Sequence, residues 1–275
     1  MLITKSGVPV NPVGLGTWGI GGTWEPEYGK EDIGIFAIRH AISRGVNHID
    51  TAEVYGGGYT DSILGKALAG SNREDLYIAD KLWETSLAKG KVEKAITEML
   101  NKLKTDYIDM LYIHKPWVDF PWREAIPQIC HEIDTGRVRH FGVSNFKLSD
   151  LKDARNLSKH PVSAIQIHYN YSYRKELSRS MYAYCAANNI DVVACKPLEK
   201  AALLKNKVLS EVAIRHAKSP AQIALAWLIH QDIYVIPGAT SLGHIDQNVE
   251  ADQIILGAED LRLLQMGGEG FTSTQ

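Results

Sequence analysis

The 275-residue chain contains only three cysteines, Cys130, Cys185 and Cys195, with no CxxC pair and no regular spacing. That excludes a disulfide framework and points to a reduced compartment, here the cytoplasm. Long apolar runs are missing as well. Nowhere do about eighteen uncharged apolar residues follow one another, so no membrane span is expected. The leading MLITKSGVPV has neither the basic start nor the apolar core of a secretory signal. Neither sign of charge dominates: 30 basic residues face 32 acidic ones without a long run of either. This leaves no electrostatic footprint for nucleic acid or an anionic membrane, and a small neutral or mildly polar ligand fits better. The 10 histidines show no HExxH or clustered Cys/His spacing, so no metal site is expected. No linker-like or low-complexity stretch divides the chain, and residues 1–275 are read as one domain.

What the chain does have is a repeat of short β-rich runs separated by helical patterns. The runs are PVGLGTW (12–18), VNHID (46–50), LYIAD (76–80), YIDMLYI (107–113), VRHFGVS (138–144), AIQIHY (164–169), IDVVAC (190–195) and IYVIP (233–237). Between them, Val92, Ala95, Ile96, Met99 and Leu103 fall at helical spacing, as do Ile33, Phe36, Ala37 and His40. Ser219 to Gln222 reads S-P-x-Q, an N-cap, a first-turn proline and a capping-box glutamine opening a helix. A mean repeat of roughly thirty residues suits a strand, a helix and two short loops, and eight such units close into a (β/α)8 TIM barrel. Residues 1–11 are expected as an added β-hairpin covering the barrel bottom, LGAEDLRLL (256–264) as a last helix, and about 265–275 as a tail.

Two motifs tempt and fail. GLGTWG (14–19) matches G-x-G-x-x-G, but GGTWEPEYG follows, a loop that cannot start the helix a dinucleotide fingerprint needs. GVSNF (142–146) looks like a nucleophile elbow, but Phe146 stands where the strained turn needs glycine. The barrel itself is more informative. Asp50 closes one strand run, Lys81 follows the next and His114 the third, at the strand ends whose loops build barrel active sites. Tyr55 lies five residues past Asp50, in a loop read as flexible because of Gly56, Gly57 and Gly58. Together the four could donate protons. They could also be a structural ion pair, a packed aromatic and a loop cap; four coinciding in one mouth favours chemistry.

With these motifs the sequence resembles the aldo-keto reductase family, from the first loop to about Asn248. The resemblance rests on GLGTW, GVNHIDTAEVYG, the lysine in DKLW, LYIHKP, GVSNF, the glutamine of AIQIHYN and VIPGA with a later asparagine. It implies reversible reduction of aldehydes or ketones with a nicotinamide cofactor, and it matches Asp50, Tyr55, Lys81 and His114 to the catalytic tetrad. Tyr55 would be the general acid, its pKa brought below about 10 by the Lys81 ammonium. Asp50 would hold that ammonium, and His114 would orient and polarise the carbonyl oxygen. By the same resemblance Thr17 and Trp18 lie near the nicotinamide ribose together with Asp50. Ser144, Asn145 and Gln166 meet the carboxamide. Pro197, Leu198 and the loop of Pro237, Gly238, Ala239 and Thr240 surround the phosphates, and Gln247 and Asn248 meet the adenine. Alone, Ser144, Asn145 and Gln166 read equally as a turn and a satisfied core amide. Trp18, Trp24, Trp83 and Trp117, with Tyr55 and His114, would line an open substrate mouth, the short C-terminal end leaving it uncovered.

Two positions depart from the family pattern. Cys195 stands where many members stack a tyrosine under the nicotinamide, and Gly238 and His244 stand where a lysine and an arginine usually hold the 2′-phosphate. NADPH is therefore expected by family habit, with NADH or dual use open. A monomer or small homo-oligomer acting on a small-molecule carbonyl substrate is expected. Two other readings compete: a cofactor-binding regulatory subunit resembling potassium-channel β-subunits, and a phosphate-binding barrel isomerase, which leaves the tetrad unexplained.

Overall fold

The computed structural model describes residues 2–199, 203 and 205–267. Eight parallel strands follow one another in spatial order: β3 (Leu15–Gly16), β4 (His48–Asp50), β5 (Tyr77–Leu82), β6 (Ile108–Ile113), β7 (Val138–Ser144), β8 (Val162–His168), β9 (Asp191–Cys195) and β10 (Ile233–Val235). The first and last are joined along a seam of two parallel bridges, Val13 to Val235 and Gly16 to Gly238, so the sheet closes on itself. The helices between them are α1 (Glu31–Ser43), α2 (Tyr59–Ala67), α3 (Val92–Leu103), α4 (Trp122–Asp134), α5 (Leu148–Leu157), α6 (Arg179–Ala187), α7 (Lys207–His216) and α8 (Pro220–Ile229), and α9 (Leu242–Glu250) and α10 (Ala258–Met266) follow the last strand. This is the (β/α)8 barrel. Before it, β1 (Leu2–Ile3) and β2 (Pro9–Val10) pair antiparallel as a hairpin, and Val10 inserts among the barrel's interior side chains.

The period of two along each strand builds two cores. Ile78, Leu82, Leu111, Ile113, Val143, Ile165 and Ile167 point outward and pack under the helices. Tyr77, Ala79, Met110, Tyr112, Ala164 and Val193 point inward and fill the barrel. The inward phase carries Asp50, Lys81, His114, Ser144, Gln166 and Cys195 to the carboxyl-terminal mouth. Lys81 does not follow its strand, as the sequence reading has it, but is the penultimate residue of β5.

The helices bear out their stripes unequally. All five α3 positions, Val92, Ala95, Ile96, Met99 and Leu103, are buried. Ile96, fully enclosed, contributes about 2 kcal/mol by leaving water. Ser219 and Gln222 form the expected reciprocal capping box at the start of α8. In α1 the stripe is rotated: Ile33 and Phe36 are exposed, and Gly34, Ala37, Ile38 and Ala41 face the core. The reason is closeness. A Cβ on Gly34 would fall 2.5 Å from Ile20, so the small residues, not the large apolar ones, set the contact. Residues 265 and 266 belong to α10 rather than to a tail, and the expected tail beyond residue 267 lies outside the described residues.

Candidate active site

At the mouth, the Lys81 ammonium donates to Asp50 Oδ1 at 2.5 Å and to the Thr51 carbonyl at 2.6 Å. It stands 3.5 Å from the Tyr55 hydroxyl. Asp50 Oδ2 accepts from Gln166 Nε2 at 2.6 Å, across 116 positions of sequence. Asp50 and Lys81 are buried, so each charge depends on the other for the solvation that water would have given. Tyr55 is brought over Lys81 by a short 3-10 turn, Tyr55–Gly58. Gly56, Gly57 and Gly58 all take positive φ there, a conformation that L side chains adopt only with strain, and α2 begins directly after them. The His114 ring lies 6.0 Å from that of Tyr55.

The electrostatics of this group correct one expectation. Burial pushes the Tyr55 hydroxyl up to about 12; Lys81 pulls it back, while Asp50 and Cys195 push the same way as burial. Burial outweighs the lysine, and Asp50, closer to Lys81 than Tyr55 is, adds to the upward push. Burial alone disfavours the Lys81 charge, but Asp50 and Tyr55 outweigh it and the ammonium is held above its ordinary range. Burial, with Lys81 and Lys115, drives His114 down to about 2, so its imidazole is neutral at every working pH. No described group partners His114 Nδ1.

The four predicted tryptophans form one connected wall. Trp18 lies 4.8 Å from Tyr55 and 5.0 Å from Trp24. Trp83 joins Trp24 at 5.5 Å, Trp117 at 4.7 Å and His114 at 5.0 Å, centroid to centroid. Beneath this wall is a residue the sequence reading passed over. Glu53 accepts from the Trp83 backbone N–H and from Ser86 Oγ, tying the turn that carries Tyr55 to the loop that carries Trp83. Burial raises it to about 7 against the pull of both hydrogen bonds. Its only sequence signal is its place between Asp50 and Tyr55.

The residues assigned to a cofactor lie along the same mouth. Thr17 donates to the Asp50 carbonyl at 3.0 Å. Asn145, at φ 56° just past β7, donates to the His114 carbonyl and to Ser144 Oγ. Cys195 ends β9 and leads into Pro197 and Leu198. Pro237, Gly238, Ala239 and Thr240 link β10 to α9, whose N-cap Ser241 makes no side-chain cap. His244 and Gln247 are exposed on that helix, and Asn248 is buried. No described group of three or more His, Cys, Asp or Glu side chains could hold a metal ion.

A barrel with this mouth has a known counterpart. The family model for the aldo/keto reductase family matches residues 12–266. The chain belongs to that family. Methylglyoxal reductase YeaE of Escherichia coli is 30% identical over 96% of this chain and 93% of its own length. The oxidoreductase YtbE of Bacillus subtilis is 33% identical over 91% and 88%. Among solved structures, the thermostable aldo-keto reductase Tm1743, bound to the inhibitor epalrestat, superposes with a TM-score of 0.93 at 34% identity, covering 98% and 99% of the two chains. An aldo-keto reductase of Klebsiella pneumoniae in complex with NADPH gives 0.88 at 26% identity, covering 100% and 98%. In this aldo-keto reductase the side chains of Asp50, Tyr55, Lys81 and His114 stand together at one end of the barrel. Thr51, whose carbonyl helps hold Lys81, and Glu53 are the site's unpredicted members. No described helix is long and apolar enough to cross a membrane.

Proposed function

We propose that this aldo-keto reductase reduces aldehydes or ketones to alcohols with NADPH, and with NADH as a second donor, using Tyr55 as general acid. One observation carries the reading: a buried ammonium held by a carboxylate and a carbonyl and set 3.5 Å from a phenol. Aliphatic interiors do not need such a group, and it costs desolvation to keep.

The residues fit a nicotinamide dinucleotide on the chemistry of their free donors and acceptors. Gln166 Oε1 and Asn145 Oδ1 meet no described partner and suit a carboxamide. The uncapped start of α9 offers unpaired N–H groups to a phosphate. Ser144, Asn145 and Gln166 would hold the nicotinamide end, with Thr17, Trp18 and Cys195 beside it. Pro197, Leu198, Pro237, Gly238, Ala239 and Thr240 would border the phosphates, His244 the ribose, and Gln247 and Asn248 the adenine. Bound there, the cofactor supplies a hydride from its C4.

Tyr55 gives its proton to the substrate oxygen as that oxygen gains negative charge. An alkoxide is a stronger base than a phenolate, so a tyrosine at about 12 still transfers downhill. The phenolate left behind faces Lys81, and Asp50 keeps Lys81 charged and in place. With no acceptor at Nδ1, neutral His114 gains by carrying its proton on Nε2, where it can donate to the carbonyl. The tryptophan wall excludes water and favours substrates with apolar bodies; the methylglyoxal reductases among the relatives add small dicarbonyls. The NADP and NADPH complexes of related structures support NADPH, and the absence of a fixed cation at Gly238 and His244 supports NADH as well. The three unpaired thiols fit work in the cytoplasm.

The test mixes purified protein with 4-nitrobenzaldehyde or methylglyoxal and follows the loss of NADPH or NADH absorbance, beside Tyr55→Phe. Turnover by the native protein and a kcat lower by about a hundred-fold or more in the variant are expected. Equal rates would remove Tyr55 from the acid's role. Cofactor binding without turnover on a broad carbonyl panel would favour a regulatory subunit.

A further inference from the structure

At the opposite end of the barrel, where the parallel strands begin, lies a second cavity of about 680 Å³. Its walls come from distant parts of the chain: the turn of the leading hairpin, the starts of β7 and β8, the end of α5 and the loop before β9. A strand's length, on the order of 15 Å, separates it from the tetrad.

Its charge is one-sided. Lys5, Arg139, Arg155 and Lys159 line it, with His140 and His160, and no described acidic residue does. Acids nearby neutralise part of this set. Asp134 pairs with Lys159 at 2.9 Å and with His160 at 2.9 Å. Asp109 reaches Arg139 at 3.2 Å but is already engaged by Arg73 at 2.5 Å. Two charges remain. The Lys5 ammonium donates only to the Ile190 carbonyl, at 3.2 Å, and Arg155 has no ion-pair or hydrogen-bond partner among the described residues. Asn189 and the largely buried Ser163 also line the cavity with side chains that no described group engages. Ile133, Phe141 and Val162 give it an apolar floor.

We infer that this cavity is a binding site for a small organic phosphate carrying at least two negative charges, distinct from the dinucleotide site. The volume lies in the range of small-molecule sites, about 300 to 1,000 Å³. The guanidinium of Arg155 and the ammonium of Lys5 supply a fork and a point charge for phosphoryl oxygens. Asn189 and Ser163 supply neutral donors, and the floor takes the carbon body. A monoanion would leave one cation unmatched, and a neutral ligand would leave both. The assignment stands whether or not Tyr55 is the catalytic acid.

The experiment uses protein saturated with NADPH, so that the dinucleotide site is filled, and titrates it with inorganic pyrophosphate by calorimetry. A saturable site with Kd on the order of 1 mM or tighter is expected. Binding should weaken about ten-fold in Arg155→Ala and Lys5→Ala combined, vanish in Arg155→Glu, and weaken as salt rises. Both side chains are exposed, and an unchanged Tm without ligand confirms that the variants fold. Occupancy should raise the Tm of the native protein by mass action. Four results would overturn the site: no saturable heat, equal binding by the variants, displacement of NADPH fluorescence by pyrophosphate, or citrate binding where pyrophosphate does not.

Discussion

Replacing Lys81 by methionine tests whether the buried ion pair is as costly to break as its geometry implies. The side chains of Lys81 and Asp50 are 1% and 3% exposed. Lys81→Met removes the ammonium from Asp50 Oδ1 and from the Thr51 carbonyl, leaving the carboxylate only the Gln166 amide. Breaking such a pair from one side costs about 3 to 5 kcal/mol, because the surviving charge is stranded. At about 2 to 4 °C per kcal/mol for a chain of this size, the Tm falls by on the order of 10 °C. Adding Asp50→Asn removes the stranded charge, and the double variant should recover most of the loss. The measurement is thermal unfolding of cofactor-free protein for the native chain, both single variants and the double. A Lys81→Met variant within about 1 kcal/mol of native, or a double variant that simply sums the singles, would refute the reasoning.

Glu53, raised by burial from 4.5 to about 7, opposes folding when ionised. Its contribution is therefore intact below about pH 4.5 and is lost as pH rises through about 7, a change of about 3 kcal/mol. Glu53→Gln should flatten the fall in Tm between about pH 5 and pH 8; an unchanged slope would count against its burial. His114, neutral above about pH 2, should put no limb near pH 6.5 into the profile of kcat, and a limb there that disappears in His114→Gln would contradict this assignment. Tyr55→Phe keeps the ring against Trp18, so the Tm should hold while kcat drops by about a hundred-fold or more. His244→Arg should lower KM for NADPH relative to NADH by about ten-fold; no change would place the 2′-phosphate elsewhere.

Local patterning made the barrel legible in this sequence: strand runs recur at a spacing that only βα units satisfy. It also placed Asp50, Lys81 and His114 at strand ends before any geometry was available. What it missed is physical rather than statistical. In α1 two overlapping stripes compete, and only the distance between helix and barrel selects the small-residue one. The Tyr55 pKa depends on how deeply the fold buries the phenol and on Lys81 lying 2.5 Å from the carboxylate but 3.5 Å from the phenol. Glu53 matters through a backbone N–H of Trp83, and backbone groups carry no letter. The cavity under the barrel gathers Lys5, Arg155 and Asn189 from stretches about 30 to 180 residues apart, beyond the reach of any window a reader slides along the chain.

The seam between β3 and β10 sets an order of events during synthesis. The residues of β3 leave the ribosome first among the barrel strands, yet their partners at 235 and 238 are made about 220 residues later, some ten to forty seconds at ordinary elongation rates. Through that interval the strands bearing Asp50, Lys81 and His114 can pair with one another. The cradle between Thr17 and Gly238 does not yet exist. A nascent chain thus has Asp50, Lys81 and His114 beside one another before it has a closed barrel, and on the proposed function a dinucleotide would load only after the last strand.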